Sequence, residues 1–312
     1  MTAISIVSRT QGNNAALKSG SVAADGFELQ FEEVPVLVQA FRRMVRGLEF
    51  DVCEMALTTY LCAREHCVQF TALPIFLVRA FHHGAIQHNI KSEIRNPASL
   101  QGKRVGVNRG YTVTTGVWAR SILQDEYDVD LSKITWVLSG DEHVEAYVPP
   151  PNVECVPADK SMEELLVEGD LAAAIGLSSD YPDIQPLIAN PLDAGFDAFK
   201  NRGHYPINHL IVVRNEVLDE HPGIAVAVFD AFTESKNRYL EKLQSGEISN
   251  PDSMDKLYTR MLESGADPLP YGIAPNRNVL EDLIAHATTQ KIITQPIDVE
   301  SVFAPATRQL IG

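Results

Sequence analysis

The stretch Gly-Lys-Arg-Val-Gly-Val-Asn-Arg-Gly-Tyr-Thr-Val-Thr-Thr-Gly-Val-Trp-Ala-Arg-Ser-Ile-Leu, residues 102–123, decides the fold. Residues 104–107 are apolar at their centre, which predicts a short buried strand, and Asn108-Arg109-Gly110 has the residue types that favour a turn. A helix is expected to begin near Thr112 or Thr114, because either hydroxyl can cap it. The stretch therefore predicts a strand, a turn and a helix in succession.

This turn has the features of a ligand site. A helix that starts at the carboxyl end of a parallel strand directs unpaired N–H groups and its positive dipole end into the crevice where α/β proteins bind ligands. We therefore expect an anion there, in contact with Thr114, Thr115 and Arg109. The alternative is an ordinary capped helix without a ligand.

The composition is that of a globular protein. The 312 residues are 45% hydrophobic and 21% charged, which is enough for a substantial core and about two domains. The net charge of -15 and the pI near 5.0 argue against nucleic acid as a partner, since its binding requires a basic face. The four cysteines have no C-x-x-C spacing, so we expect reduced thiols.

The sequence shows neither an export signal nor a membrane span. It opens with Met-Thr-Ala-Ile-Ser-Ile-Val, which predicts a first strand and lacks the basic start and long apolar run of a secretory signal. No stretch of about 18 apolar residues occurs, so no membrane partner is expected. These features predict a cytoplasmic protein.

Strand and helix patterns alternate before and after residue 100, which predicts two similar α/β lobes. A further strand pattern at 207–213 indicates that the chain then returns to the first lobe. We predict that a second lobe, residues 96–205, is inserted in a first lobe formed by residues 1–95 and 206–312. The C-terminal part is helical, and its long amphipathic helices make a homo-oligomer an open possibility.

Several segments, in order along nearly the whole chain, resemble the 4,5-dihydroxyphthalate decarboxylase family. These are residues 50–60, 74–76, 79–83, 115–120, 205–209, 270–273, 276–277 and 303–305. Residues 100–107 resemble the segment that opens the second lobe of periplasmic solute-binding proteins. The resemblance implies a two-lobe α/β fold of the type II periplasmic-binding-protein class. It also implies an intracellular carboxy-lyase of aromatic degradation, whose substrate is a small hydroxylated aromatic carboxylate.

Such a reaction sets clear chemical requirements. Loss of CO2 from an aromatic ring leaves an unstable carbanion unless the ring carbon is protonated, and a hydroxyl para to the departing carboxylate lets the ring ketonise and accept that proton. The site therefore needs a positioned acid, groups that hold the catechol oxygens, and cations that hold a carboxylate.

Three histidines are candidates for the acid or base. His82, His83 and His209 are suitable because imidazole titrates near neutral pH. If His82 and His83 lie on a strand, they face opposite sides. Glu54 lies at the end of a predicted strand and can orient a histidine or accept a proton, although it can equally cap the next helix.

The substrate contacts are predicted from charge and hydrogen-bonding capacity. Arg79, Arg109 and Arg277 are suited to a carboxylate, because a guanidinium matches it with two hydrogen bonds. Their alternative role is a surface ion pair. Hydroxyl groups complete the predicted set of substrate-binding residues: Thr58, Thr114, Thr115 and Tyr271.

Two questions stay open at this stage. The reaction requires no cofactor, or it uses a divalent metal that His82, His83 and His209 hold against the catechol oxygens. The second question is the activity itself, since the same fold also serves solute-binding proteins that deliver a small anion to an ABC-type transporter. A sensor or a precursor-synthesis enzyme on this fold is a third class.

Overall fold

A computed structural model describes all residues, Met1–Gly312, and shows two α/β lobes, each built on one sheet. The first sheet has the strand order β2-β1-β3-β11-β4 and consists of β1 (Thr2–Val7), β2 (Phe27–Phe31), β3 (Val52–Ala56), β4 (Phe70–Arg79) and β11 (Ile207–Arg214). The second has the order β10-β5-β9-β6-β7-β8 and consists of β5 (Ile86–Asn89), β6 (Arg104–Val107), β7 (Thr135–Leu138), β8 (Val153–Cys155), β9 (Ala173–Ile175) and β10 (Ile184–Pro186).

Eleven α-helices pack on these sheets. They are α1 (Ala15–Lys18), α2 (Leu37–Gly47), α3 (Leu57–Glu65), α4 (Thr114–Tyr127), α5 (Met162–Glu168), α6 (Pro191–Arg202), α7 (Asn215–Glu220), α8 (Ile224–Ser245), α9 (Ser253–Glu263), α10 (Arg277–Thr289) and α11 (Val299–Val302). The apolar side of α8, including Phe229 and Phe232, is buried in the main core. No helix combines the length and the apolar composition that a membrane span requires.

The predicted strand, turn and helix at 102–123 are confirmed, but the cap is not a threonine. The N-cap of α4 is Val113, without a side-chain cap, and Thr114 is the first helical residue. The Thr112 hydroxyl instead donates to the Glu142 carboxylate at 2.6 Å.

The first crossover between the lobes lies earlier than predicted. We expected the second lobe to begin at residue 96, yet β5 pairs with β9 and β10 in the second sheet, so the chain has crossed before Ile86. A four-residue antiparallel strand has no local sequence signal that shows which sheet it joins. The return crossover precedes β11 at Ile207, beside the predicted position 206.

The carboxyl ends of both sheets meet at an interlobe cleft. In the first lobe β3 runs directly into α3, and in the second lobe β6 leads through the turn into α4. The two helix starts contact each other, because the hydroxyls of Thr58 and Thr114 lie 2.8 Å apart. This is the edge at which α/β folds bind ligands.

Candidate functional site

A buried carboxylate and a histidine form a pair at this edge. Glu54 on β3 is fully buried, and its Oε1 accepts a 2.7 Å hydrogen bond from Nδ1 of His209 on the adjacent strand β11. Its Oε2 accepts the backbone N–H of Arg9 at 2.9 Å. Because a carboxylate only accepts, Nδ1 carries a proton and Nε2 of the 19% exposed His209 side chain is free for a ligand. Glu54 and His209, both predicted to be catalytic, are thus joined by a direct hydrogen bond.

Phe41 of α2 links this pair to a histidine of the second lobe. Its ring meets His209 edge-on at 5.2 Å and His143 at 6.0 Å. His143 is 3% exposed, and its Nδ1 lies 3.1 Å from the hydroxyl of Thr59. Burial, together with the nearby Arg42 and other cations, lowers its pKa to about 4. Its Nε2 has no hydrogen-bond partner.

Arg109 forms no ion pair within the chain, and its role as a carboxylate ligand stays a prediction. Its backbone has a φ of 72°, and its N–H donates to the Ser139 hydroxyl at 2.8 Å, which fixes the residue in the turn. Burial and the positive charge of Arg42 lower its pKa. With Thr115 and Gly116 of α4, Arg109 lines a pocket of about 160 Å³.

The first turn of α4 supplies the backbone donors of this pocket. Tyr111 and Thr112 do not, because their N–H groups donate to the carboxylate of Glu142, at 3.2 Å for Thr112. The predicted turn therefore binds an anion, but an internal one. The N–H groups at the start of α4, from Thr114 to Gly116, have no intrahelical partner and lie beside Arg109.

Two predicted substrate ligands serve instead to join the lobes. The hydroxyl of Thr58 donates to the Thr112 carbonyl at 2.5 Å, and the hydroxyl of Thr114 lies 2.8 Å from it. Both residues are buried, at 0% and 2% exposure. Thr58 and Thr114, predicted to contact the substrate, do not line the Arg109 pocket, whereas Thr115 does.

Arg79 is a structural residue rather than a carboxylate anchor. Its guanidinium donates to Asn276 Oδ1 and to the Tyr205 carbonyl, both at 2.5 Å, and stacks on the Tyr205 ring. It is 2% exposed, and burial lowers its pKa to about 10. It lines a pocket of about 260 Å³ that shares no lining residue with the Arg109 pocket.

Arg277 and Tyr271 also lie outside the cleft pocket. Arg277, at the start of α10, forms ion pairs with Glu281 and Glu300, as in the surface alternative. Tyr271 is fully buried, and burial raises the pKa of its phenol. Neither residue is in position to bind a substrate at the Glu54–His209 pair.

The three predicted histidines do not form one cluster. His82 Nε2 donates to Asn208 Oδ1 at 2.9 Å, and burial lowers the pKa of His82 to about 4. His83 is fully buried and lies 3.1 Å from Glu126. The structure contains no group of three or more His, Cys, Asp or Glu side chains that could hold a metal ion. The residues present therefore do not fit the metal site proposed from His82, His83 and His209.

Sequence analysis missed the side of the cleft that α2 and residues 139–143 form. Arg42 lies 2.5 Å from Asp141, and Arg46 lies 3.2 Å from the same carboxylate. Arg46 also donates to the His143 carbonyl at 3.2 Å. The sequence signal was weak, since arginines on an amphipathic helix normally face solvent.

Comparisons with known proteins identify the family. No protein-family model matches the chain. A 4,5-dihydroxyphthalate decarboxylase of Comamonas testosteroni is 29% identical over 317 residues, covering 93% of this chain and 92% of that protein. A second, from Pseudomonas putida, is 31% identical over 202 residues, covering 59% of this chain and 76% of that protein. The chain belongs to the 4,5-dihydroxyphthalate decarboxylase family. The resemblance drawn from the sequence segments is confirmed.

Solved structures confirm the predicted periplasmic-binding-protein-like fold. A conserved Candida albicans protein with the generic periplasmic binding protein fold has a TM-score of 0.57 at 11% identity, covering 100% of this chain and 99% of that one. The aliphatic sulphonate binding protein SsuA of Escherichia coli has 0.55 at 12%, covering 97% and 92%. The desulfurization enzyme DSZB has 0.55 at 13%, covering 98% and 97%. At these identities the likeness shows the fold alone.

Proposed function

We propose that the protein is a carboxy-lyase that decarboxylates 4,5-dihydroxyphthalate, or a closely related hydroxylated aromatic acid, in the interlobe cleft. The observation that carries the proposal is the buried Glu54–His209 pair, with 2.7 Å between Oε1 and Nδ1. Asn208, the residue before His209, lies 3.5 Å from the hydroxyl of Thr115, which lines the pocket of the unpaired Arg109. Membership of the family and the names of both curated relatives support it.

Substrate binding begins with a carboxylate at the start of α4. The Arg109 guanidinium forms no ion pair within the chain, so it is free to hold that group, and the helix N–H groups add donors. The Thr115 hydroxyl, which lines the same pocket, is available to a further substrate oxygen. These contacts orient the ring before any proton moves.

His209 is the proton donor in this proposal. Its Nε2 protonates the ring carbon that bears the departing carboxylate, while the para hydroxyl gives its proton to solvent and becomes a ketone. The bond to the carboxylate then breaks, CO2 leaves, and the bonding electron pair restores the aromatic ring as the ketone oxygen regains a proton. Glu54 stabilises the imidazolium and fixes the ring orientation through Nδ1. Solvent returns the proton to His209, so one proton is consumed per CO2.

The test is an assay with purified protein and 4,5-dihydroxyphthalate, in which both CO2 and 3,4-dihydroxybenzoate are measured, with and without divalent metal ions. We expect both products in equal amounts. A His209→Asn variant keeps an amide group near Nδ1 but has no atom at Nε2, and we expect its turnover to fall at least about a hundredfold. Saturable binding without CO2 release under either condition would contradict the proposal and support a solute-binding protein.

A further inference from the structure

Residues 139–143 gather positive charge from both lobes. Arg42 and Arg46 of α2 share the single carboxylate of Asp141, and the Cα of Arg109 packs against Gly140. Glu145 pairs with Arg46 at 2.8 Å. The guanidinium of Arg109 has no carboxylate partner, and the buried Nε of Arg42 has no hydrogen-bond partner. This side of the cleft therefore has two cationic donor groups without a partner in the protein, the Nε of Arg42 and the guanidinium of Arg109.

His143 lies within that cationic group and has one ring nitrogen unused. Nδ1 faces the Thr59 hydroxyl at 3.1 Å, which leaves the buried Nε2 without a partner. When Thr59 donates to Nδ1, Nε2 carries the proton and can donate to a carboxylate. A buried polar atom without a partner is costly, so the residue is expected to find one in the ligand-bound state.

Phe41 fixes the position of His143 relative to the proposed acid. The same buried phenyl ring contacts His209 and His143, at 5.2 and 6.0 Å between ring centres, so one side chain packs against both imidazoles. The proposed reaction starts from two neighbouring carboxylates, removes one beside His209, and retains the other. His143 also lies on the segment 139–143, which contacts the Arg109 turn through the Ser139 hydroxyl and the Glu142 carboxylate, so it adjoins the proposed anchor of the first carboxylate.

We propose that His143, together with Arg42, binds a second carboxylate of the substrate, the one that the reaction retains, and thereby selects ortho-dicarboxylates over monocarboxylates. The inference rests on the proposed function in one respect, the identity of the carboxylate that is retained. The recognition of a dicarboxylate can be tested without turnover. Arg109 and the start of α4 hold the other carboxylate.

Charge linkage gives a second consequence of the same arrangement. The charged groups around His143 are Arg42 and Arg46 from α2, Arg109 from the turn, and Asp141, Glu142 and Glu145 on its own segment. Asp141 and Glu145 pair with Arg42 and Arg46, and Glu142 accepts the Thr112 N–H, so Arg109 is the cation without a carboxylate partner. A bound dianion offsets the arginines and favours the charged imidazole, so His143 gains a proton on binding. Binding of a dicarboxylate then takes up a proton in weakly acidic buffer.

The experiment is calorimetric titration with phthalate and benzoate, neither of which has the hydroxyl needed for ketonisation, so neither is turned over. We expect the wild-type protein to bind phthalate at least about tenfold more tightly than benzoate. His143→Asn keeps a group near Thr59 but removes Nε2, and the ratio is expected to fall below about threefold with benzoate affinity unchanged. His143→Gln, which can place an amide near Nε2, is expected to retain part of the preference without proton uptake.

His221→Asn is the matched control, because His221 packs on Phe27 in the first lobe and away from the cleft. An unchanged phthalate preference in His143→Asn would overturn the proposal. If that variant does not fold, titrations of wild-type protein in buffers of different ionisation enthalpy decide it. Phthalate binding without proton uptake near pH ~6.5, where free phthalate is almost fully ionised, would also overturn the proposal. A wild-type protein that shows the His143-dependent preference but releases no CO2 would refute only the proposed function.

Discussion

Replacement of Glu54 by Gln isolates the charge of the Glu54–His209 pair. A glutamine retains the size of the side chain and an oxygen that can accept the Arg9 N–H. In the wild-type structure this N–H donates to Glu54 Oε2 at 2.9 Å. It removes the negative charge that lies 2.7 Å from His209 Nδ1. The substitution therefore changes the electrostatics of the imidazole more than the packing of the fully buried side chain.

The expected size of the effect follows from the kind of hydrogen bond. A hydrogen bond to a charged group contributes about 1.5–3 kcal/mol, and Glu54 makes such a bond to the charged imidazole that donates the proton and fixes its orientation. Since about 1.4 kcal/mol corresponds to a factor of ten in rate, kcat is expected to fall about 10- to 100-fold. KM is expected to change little, because Glu54 does not line the Arg109 pocket.

The assay is the initial rate of CO2 release over a range of substrate concentrations, with thermal unfolding measured on the same samples. Glu263→Gln, at the exposed end of α9, is the matched control and should behave as wild type. A Glu54→Gln protein with unchanged Tm and a kcat within about twofold of wild type would refute the assigned role.

Three further outcomes are expected. Arg109→Met removes the proposed carboxylate contact, so it should raise KM at least about tenfold with little change in Tm. Arg277→Met is the control and should leave KM unchanged. Equal effects of the two substitutions on KM in a steady-state assay would contradict the placement of the carboxylate. Arg79→Met should lower the free energy of unfolding by about 2–4 kcal/mol in urea titrations, because it leaves two buried acceptors unpaired, and a stability equal to wild type would contradict a structural role. Burial lowers the pKa of His82 from 6.5 to about 4 and keeps the side chain uncharged. The unfolded chain therefore binds the proton first as the pH falls, and the free energy of unfolding should decrease between pH 6.5 and about 4. Urea midpoints that do not change in this range would show that His82 is not held neutral.

The fold was predictable where the sequence signal is local. The apolar segment before Asn108 and the turn residues after it are enough to predict β6 and the start of α4, because strand burial and turn conformation depend on neighbouring residues. The lobe boundary was placed at residue 96 because the sheet that a short strand such as β5 joins depends on distant partners.

The site was predictable only in part. Glu54 and His209 were each identified from residue chemistry, but their pairing depends on β11 lying beside β3, which follows from the return crossover. Arg79 was assigned to the substrate because nothing local indicates that a guanidinium will meet Asn276 and the Tyr205 carbonyl, which lie far away in sequence. His143 was missed because it lies in an acidic, irregular segment.

The cleft is closed by contacts of different kinds at its two sides. The Thr58–Thr114 contact is buried, whereas the Arg42–Asp141 ion pair is exposed to solvent, with side chains 34% and 60% accessible. Exposed ion pairs contribute about 0–1 kcal/mol and weaken as salt is added. A solute-binding protein retains its ligand until it meets a transporter, but an enzyme must release its product in every cycle. An exposed ion pair that breaks at a small free-energy cost is compatible with rapid product release. The rate of product release from the cleft is therefore expected to increase with ionic strength.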